Sequence, residues 1–403
     1  FMTHLMEKLT FVIVVLFFAF NLNAQEDTVK KQGYTFTLVK EIKTSPVKNQ
    51  YRSGTCWSFA TSSFIESELL RIGKPVLDIS EMFVVRKVYE DKAEKYVRMH
   101  GEANFSGGGA VNDVIDVIEK YGAITEEAYS GLQYGTEKHV HGEIDQVLKA
   151  YIDAVIENPN KELSTAWKAG FNGILDAYLG KVPEKFSFNG KDLTPKEFAA
   201  ENIPINPNDY AYITSFNHHP FNTRFIVEVP DNWTWKAFYN VPLNDMIEII
   251  DNAINEGYGV SWAADVSEKG FSWKNGIAIV PETEIEELTG SEKLKWETMT
   301  KEERQKQLFS FDNPVPEKII TQEIRQKEFD NFKTTDDHGM HIVGIYNDQN
   351  GVKYYKVKNS WGSEDHKYEG YLFVSEAYMK FKTISLAVHK DALPKKIKKE
   401  YEK

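Results

Sequence analysis

The pattern of apolar residues changes character near residue 210, and this change limits the chain to a fold with helices first and a sheet after. Before it, apolar side chains recur at helical spacing. From Cys56 to Ile72 the residues Trp57, Phe59, Ala60, Phe64, Leu69 and Leu70 follow this spacing loosely, and Gly73-Lys74-Pro75 ends the run. A second helix is predicted after Ser80, a candidate N-cap. A third follows the "FSGGG" loop, with Val111, Val114, Ile115, Val117 and Ile118 as its buried stripe and Gly122 as its stop. Residues 139 to 180 are again helical in pattern, and a short helix is expected at 192 to 201 after Thr194-Pro195.

After 210, "YAYITSF", "RFIVEV", "GYGVSWAAD" and "GIAIV" read as strands rich in aromatic and β-branched residues, with one helix, "LNDMIEIIDNAINEG", among them. "HGMHIVGIY" and "VKYYKVKNS" form an expected hairpin turned by Asn350-Gly351 at positive φ, and "GYLFVS" is a further strand. The charged stretch 282 to 333 reads as a solvated excursion with helices near 300 to 309 and 321 to 329. A short strand is expected at Tyr34 to Val39. The fold class is therefore α+β: an N-terminal segment and helical lobe over 25–210, a largely antiparallel sheet lobe over 211–390, and a tail over 391–403.

Composition bounds the partners. The chain has 403 residues, 41% of them apolar, with a net charge of -12 spread along its length. An acidic surface disfavours the phosphate backbone, so no nucleic acid partner is expected. The stretch "MEKLTFVIVVLFFAFNLNAQ" has the order of a secretory signal peptide over 1–24, with a cut at Ala24/Gln25 and export to the periplasm or outside the cell; an N-terminal membrane anchor is the alternative. No stable membrane insertion is expected after cleavage. The terminal "KKIKKEYEK" reads as a solvated, frayed end.

Only one cysteine is present, in "KNQYRSGTCWSFATSSF". It cannot form an intramolecular disulfide, so its use lies elsewhere. A thiol that does chemistry needs a lowered pKa, an imidazole in reach and donors for an oxyanion. Cys56 opens the first predicted helix, where free N–H groups favour a thiolate. Gly54 permits a tight turn before it, and the Gln50 amide could donate to an oxyanion. A buried apolar cysteine is the plain alternative. The base would come from "DDHGMHIVG": His338 and His341 are three apart, so in a strand only one faces a given cleft. Asn359 could hold the second ring nitrogen, and Trp361 could shield that contact.

"NQYRSGTCWSFA", "DHGMHIVGIY" and "YYKVKNSWG", in this order, resemble the signature blocks of papain-like cysteine peptidases. The resemblance implies a two-lobed papain-like fold, with Gln50 as oxyanion donor, Cys56 as nucleophile, His338 as base and acid, and Asn359 orienting His338. Trp361 would support that pair. It further implies that Gly107, Gly108 and Gly109, with Trp57, line the non-primed side of a peptide-binding groove. No cofactor is implied.

Within the superfamily the chain is most similar to the bleomycin hydrolase and aminopeptidase C branch. It lacks the disulfide cysteines of secreted papain relatives, it has insertions at 139–210 and 282–333, and only about 25 residues separate the predicted cleavage site from Gln50. That branch implies an aminopeptidase acting on peptide substrates as a homohexamer, with its own C-terminus lying in the cleft. Two departures stand out: lysines continue past Asp391-Ala392-Leu393, and the predicted signal peptide would export the chain. A secreted endopeptidase and a catalytically idle peptide-binding protein are the other readings. No metal is expected, since His139/His141 and His218/His219 have no third ligand at a recognisable spacing. Asp336 and Asp337 either raise the His338 pKa or are two solvated carboxylates.

Overall fold

The computed structural model describes residues 33–284 and 290–403, so the predicted signal peptide lies outside the described residues. The helical part contains α1 (Cys56–Arg71), α2 (Glu81–Arg98), α3 (Asp113–Tyr121), α4 (Gly142–Ile156), α5 (Trp167–Leu179) and α6 (Pro195–Asn202). Local chemistry sets their starts. The Ser80 side chain accepts from Phe83 N–H at 3.1 Å. Thr194 and Glu197 form a reciprocal capping box with Pro195 in the first turn.

Strands dominate the rest, from β1 (Phe36–Glu41), the hairpin β2 (Phe186–Phe188) and β3 (Lys191–Leu193), through β4 (Tyr210–Thr214), β5 (Thr223–Ile226) and β6 (Ala237–Asn240). After α7 (Leu243–Asn255) come β7 (Val260–Ala264), β8 (Phe271–Ser272) and β9 (Ile277–Ala278). Helices α8 (Gly290–Glu297), α9 (Lys301–Leu308) and α10 (Gln322–Asp330) precede β10 (His338–Asp348), β11 (Lys353–Lys358) and β12 (Tyr371–Ser375). The chain finishes with α11 (Glu376–Lys382), β13 (Thr383–His389) and α12 (Lys395–Tyr401).

Apart from the β2–β3 hairpin, the strands form one sheet in the order β5-β6-β4-β13-β7-β10-β11-β12-β9-β8, with β1 added to β10. The pairing is mostly antiparallel, but β4/β6 and β9/β12 run parallel, a mixture that the sequence did not announce. Strand β13 was also unforeseen, although "TISLAV" is rich in β-branched residues; it sits mid-sheet between β4 and β7. Helices cover one face through a core that includes Phe64, Phe83, Ile115 and, from the sheet, Tyr212 and Ala387. Helix α7 covers the other, with Met246, Ile250 and Ile254 against Trp262, Ile342 and Val357.

Helix α1 is buried on nearly every side from Trp57 to Leu69, which explains its loose apolar period: a helix in the core needs no polar face. Two of its small polar residues bond to their surroundings, Thr61 to Ser261 at 2.9 Å and Ser58 to Glu81 O at 3.0 Å. Lys48 ties the chain just before Gln50 to this helix. Its Nζ meets Glu66 at 3.3 Å, Glu81 at 2.6 Å and Asp78 at 2.5 Å, so that three carboxylates offset the cost of burying the ammonium.

Three expectations need correction. The hairpin after β10 has positive φ at Gly351 only; the Asp348 carboxylate holds the turn by accepting from Asn350 and Val352 N–H, both at 2.8 Å. The C-terminal residues do not fray, because α12 seats Ile397 in the sheet core and Tyr401 against Tyr239, 5.0 Å between ring centres. Nor is 282–333 merely a solvated excursion. Arg325, fully buried on the Phe216 ring, donates to Ser215 O at 2.8 Å, Lys380 O at 3.0 Å and Thr383 O, fastening α10 to the end of α11. Replacing Arg325 with Met should lower the urea unfolding midpoint by an amount equal to about 2 kcal/mol, because those carbonyls lose their donors while burial stays. An unchanged midpoint would mean that the clamp contributes nothing net.

Candidate active site

The site forms where the beginning of β10 lies on the first turn of α1. A Cβ on Gly339 would stand 3.0 Å from the Trp57 Cα and 3.3 Å from the Cys56 carbonyl carbon, so a side chain there would press on the helix backbone. Immediately before α1, Gly54 has φ of 66°. The Thr55 hydroxyl is engaged with that of Ser53 at 2.5 Å and does not cap the helix, which leaves the first-turn N–H groups unclaimed by a side chain.

His338 is fixed by the residues that end β11. The Asn359 Oδ1 accepts from Ser360 N–H at 2.8 Å, which identifies that atom as the amide oxygen. His338 Nε2 lies 2.7 Å from the same oxygen and must therefore be the donor. The neutral ring thus carries its proton on Nε2 and keeps a lone pair on Nδ1. The Trp361 ring lies over the imidazole with centroids 4.7 Å apart. Ser360 serves Gln50 as well, its hydroxyl donating to Gln50 Oε1 at 2.6 Å while Gln50 N–H donates to Ser360 O at 2.8 Å. With its oxygen so engaged, the Gln50 amide has its NH₂ group left to donate. Ser360 is thus a member of the site that sequence reasoning missed, although it lay inside the quoted "KNSWG".

Electrostatics depart from expectation. Burial pushes the Cys56 thiol up to about 12, against the N–H groups of Gly339 and Trp57, which favour the thiolate; Asp231 and Asp336 push in the same direction as burial. Burial lowers His338 to about 4, opposed by the Asn359 contact and the Asp337 charge. The lowered thiol pKa expected from the helix terminus is therefore not found: loss of water outweighs the donors.

His341 points elsewhere, its Nδ1 3.1 Å from Ser63 Oγ on α1. The glycine block does lie beside the cysteine: the Trp57 indole donates to Gly107 O at 2.9 Å, and a Cβ on Gly109 would collide with that ring. Lys92 donates to Ser106 O at 2.9 Å and also to Gly108 O.

Several known proteins resemble this chain over most of its length. Residues 290–403 match the model of the Peptidase C1-like family. Aminopeptidase C of Listeria innocua is 24% identical over 93% of this chain and 87% of its own length. Human bleomycin hydrolase is 22% identical over 92% and 86%. The crystal structure of PepW from Lactobacillus rhamnosis superposes with a TM-score of 0.69 at 19% identity, covering 93% of this chain and 87% of that one. The chain is thus similar, along most of its length, to papain-like cysteine peptidases of the aminopeptidase C and bleomycin hydrolase branch. Its α+β, two-lobed architecture is that of the superfamily.

The histidine pairs set aside in the sequence have different surroundings. His218 and His219 do meet a third potential ligand, Glu228, from the segment after β5, with candidate atoms within 4.8 Å of one another. The hydrogen bonds favour a polar network over a metal. Asn217 N–H donates to Gln326 Oε1 at 2.7 Å, so the amide NH₂ faces His218 Nδ1 at 3.0 Å. The neutral ring then holds its proton on Nε2, 3.1 Å from Glu228, where a metal would need the lone pair.

His139 and His141 are buried beside the loop that precedes Cys56, with Arg52 N–H bonded to His139 O at 2.9 Å and His141 N–H to Arg52 O at 3.0 Å. Burial lowers His139 to about 4 and His141 to about 3, the latter helped by repulsion from His139. An unfolded histidine binds its proton near pH 6.5. The unfolded chain therefore takes up these protons first, and stability present above about pH 6.5 is lost as pH falls towards 4. The double variant His139→Leu, His141→Leu should show a smaller drop in urea midpoint between pH 7 and pH 5 than the wild type, by roughly 1–2 kcal/mol per histidine. Equal drops would place the acid sensitivity in other groups.

Proposed function

We propose that the chain is a thiol aminopeptidase that releases residues from the free N-terminus of peptides. The observation that carries the hydrolytic part is the double use of the Asn359-Ser360 pair. Asn359 holds His338 with Nδ1 as the free base, and Ser360 holds Gln50 with its NH₂ free. In this reading His338 Nδ1 takes the Cys56 proton, and sulfur attacks the scissile carbonyl. The oxyanion receives the Cys56 N–H and the Gln50 amide. His338 then protonates the leaving amine and activates the water that releases the acyl group.

The exopeptidase limit rests on similarity to enzymes named aminopeptidase C and on the cover over the glycine block, where the Asp231 carboxylate packs directly on Gly108. Such a cover shortens the non-primed side. One observation favours the endopeptidase reading: α12 contacts Tyr239, Arg224 and Lys390 rather than the residues around Cys56. Export through residues 1–24 and assembly into a hexamer belong to the same proposal; N-terminal sequencing of the secreted chain and light scattering read them out.

Replacing Cys56 with Ala should abolish turnover with the fold intact, and residual peptidase activity would overturn the mechanism. Wild-type enzyme should cleave a free-amine peptide one residue at a time and leave its acetylated twin uncut. Internal cleavage of both would establish an endopeptidase. Replacing Asn359 with Ala should reduce kcat about 10²-fold or more, through loss of the oriented tautomer.

A further inference from the structure

Lys92, on α2, carries its charge into the protein without an ion pair. The residue is 1% exposed. Asp113, Asp231 and Asp145 act on its ammonium through charge alone, and burial lowers its pKa in spite of them. Its N–H groups go to two backbone carbonyls of the glycine block, Ser106 O at 2.9 Å and Gly108 O, and the ammonium also faces the Trp233 ring, 5.7 Å from the centroid. An apolar side chain of similar length would fill this space without the cost of desolvating a charge. What the ammonium adds is its hold on those two carbonyls.

That hold decides which way the peptide groups of the block point. The carbonyl between the two, that of Gly107, accepts from the Trp57 indole at 2.9 Å. In a trans peptide the carbonyl of one residue and the N–H of the next point in opposite directions, and no described peptide bond is cis. With Gly107 O turned to Trp57 and Gly108 O to Lys92, the N–H groups of Gly108 and Gly109 point away from those side chains. Neither N–H, nor the carbonyl of Gly109, bonds to any described residue, and Gly109 is partly exposed. The block abuts the loop that leads into Cys56: a Cβ on Gly107 would stand 3.5 Å from Ser53 O, and one on Gly109 would stand 2.7 Å from the Trp57 indole. Asp113 braces the far end, accepting from Ala110 N–H at 3.0 Å and from the Trp233 indole at 2.8 Å.

We infer that Lys92 is a positioning residue for the peptidase reaction: it holds the Ser106 and Gly108 carbonyls so that the N–H and C=O of Gly109 are free to pair with the backbone of a peptide laid beside Cys56. This role rests on the peptidase reading above and adds to it a buried residue that substrate does not touch. Main-chain hydrogen bonds form whatever the side chains of the peptide, so Lys92 governs affinity and not sequence preference. The reacting atoms stay with Cys56, His338, Asn359 and Gln50, to none of which Lys92 donates.

The test compares wild type with Lys92→Met and Lys92→Gln in steady-state cleavage of one free-amine peptide and in alkylation of Cys56 by iodoacetamide, with circular dichroism as the check on folding. Lys92→Met should raise KM about five- to tenfold, the worth of one backbone hydrogen bond, while kcat and the alkylation rate stay within about twofold of wild type. Lys92→Gln, whose shorter amide reaches one carbonyl, should raise KM by a smaller factor. An unchanged KM in Lys92→Met overturns the proposal and leaves the peptidase reading standing. A parallel loss of kcat and of alkylation also overturns it, since Lys92 would then support the fold around Cys56. Should Lys92→Met fail to fold, Lys92→Gln decides: a raised KM at constant kcat upholds the proposal, and a wild-type KM overturns it. A wild-type protein that cleaves no peptide overturns the peptidase reading and the proposal with it.

Discussion

The arrangement depends on one close approach, that of Gly339 to the first turn of the Cys56 helix. It places the nucleophile, which belongs to a helix formed early in the chain, against a strand that begins more than 280 residues later. The helix can be brought there because it is buried all round and carries small side chains where the sheet must come near. Thr61 meets Ser261 on β7, and Ser63 meets His341 on β10. Lys48 completes the seat by binding the approach to Gln50 to Glu66 on α1 and Glu81 on α2. Three distant segments thus converge on one point through contacts whose geometry leaves little freedom.

From that seat the chemistry follows by hydrogen-bond direction. A backbone N–H cannot accept, so Ser360 N–H identifies the Asn359 oxygen, and the oxygen identifies the His338 tautomer. The same two residues orient the Gln50 amide through the Ser360 hydroxyl. Burial pushes the Cys56 thiol up and the His338 imidazole down, each towards its neutral form. It also strengthens the donors that meet charge as it develops. Burial is unfavourable for the resting thiolate and favourable for differential stabilisation of a later anion.

Much of this was legible in the sequence because short motifs report local geometry. The capped helix starts, the cysteine at a helix N-terminus and the "HG" and "NSWG" blocks required no long-range knowledge. What escaped was set by packing between distant segments. Strand β13 is a short apolar run close to a helix, and its central place in the sheet follows from pairing with β4 and β7. The thiol pKa was misjudged because the helix terminus is visible in sequence and burial is not. Glu228 was missed as a partner of His218 because it arrives from the far side of a turn, and Asp231 because "VPDNW" carries no periodic pattern.

The placement of the tail and of Asp231 bears on how an exopeptidase limit can arise. A groove open at both ends binds a chain anywhere along its length, so cutting at the end requires something that closes one side and welcomes the terminal charge. Helix α12 is occupied elsewhere, with its last turn held by Arg224 on β5 and Tyr239 on β6. The segment between β5 and β6 instead reaches the glycine block, anchored by Asn104 and by the Trp233 indole, which donates to Asp113 at 2.8 Å. These anchors hold the Asp231 carboxylate against Gly108, where it narrows the groove on that side.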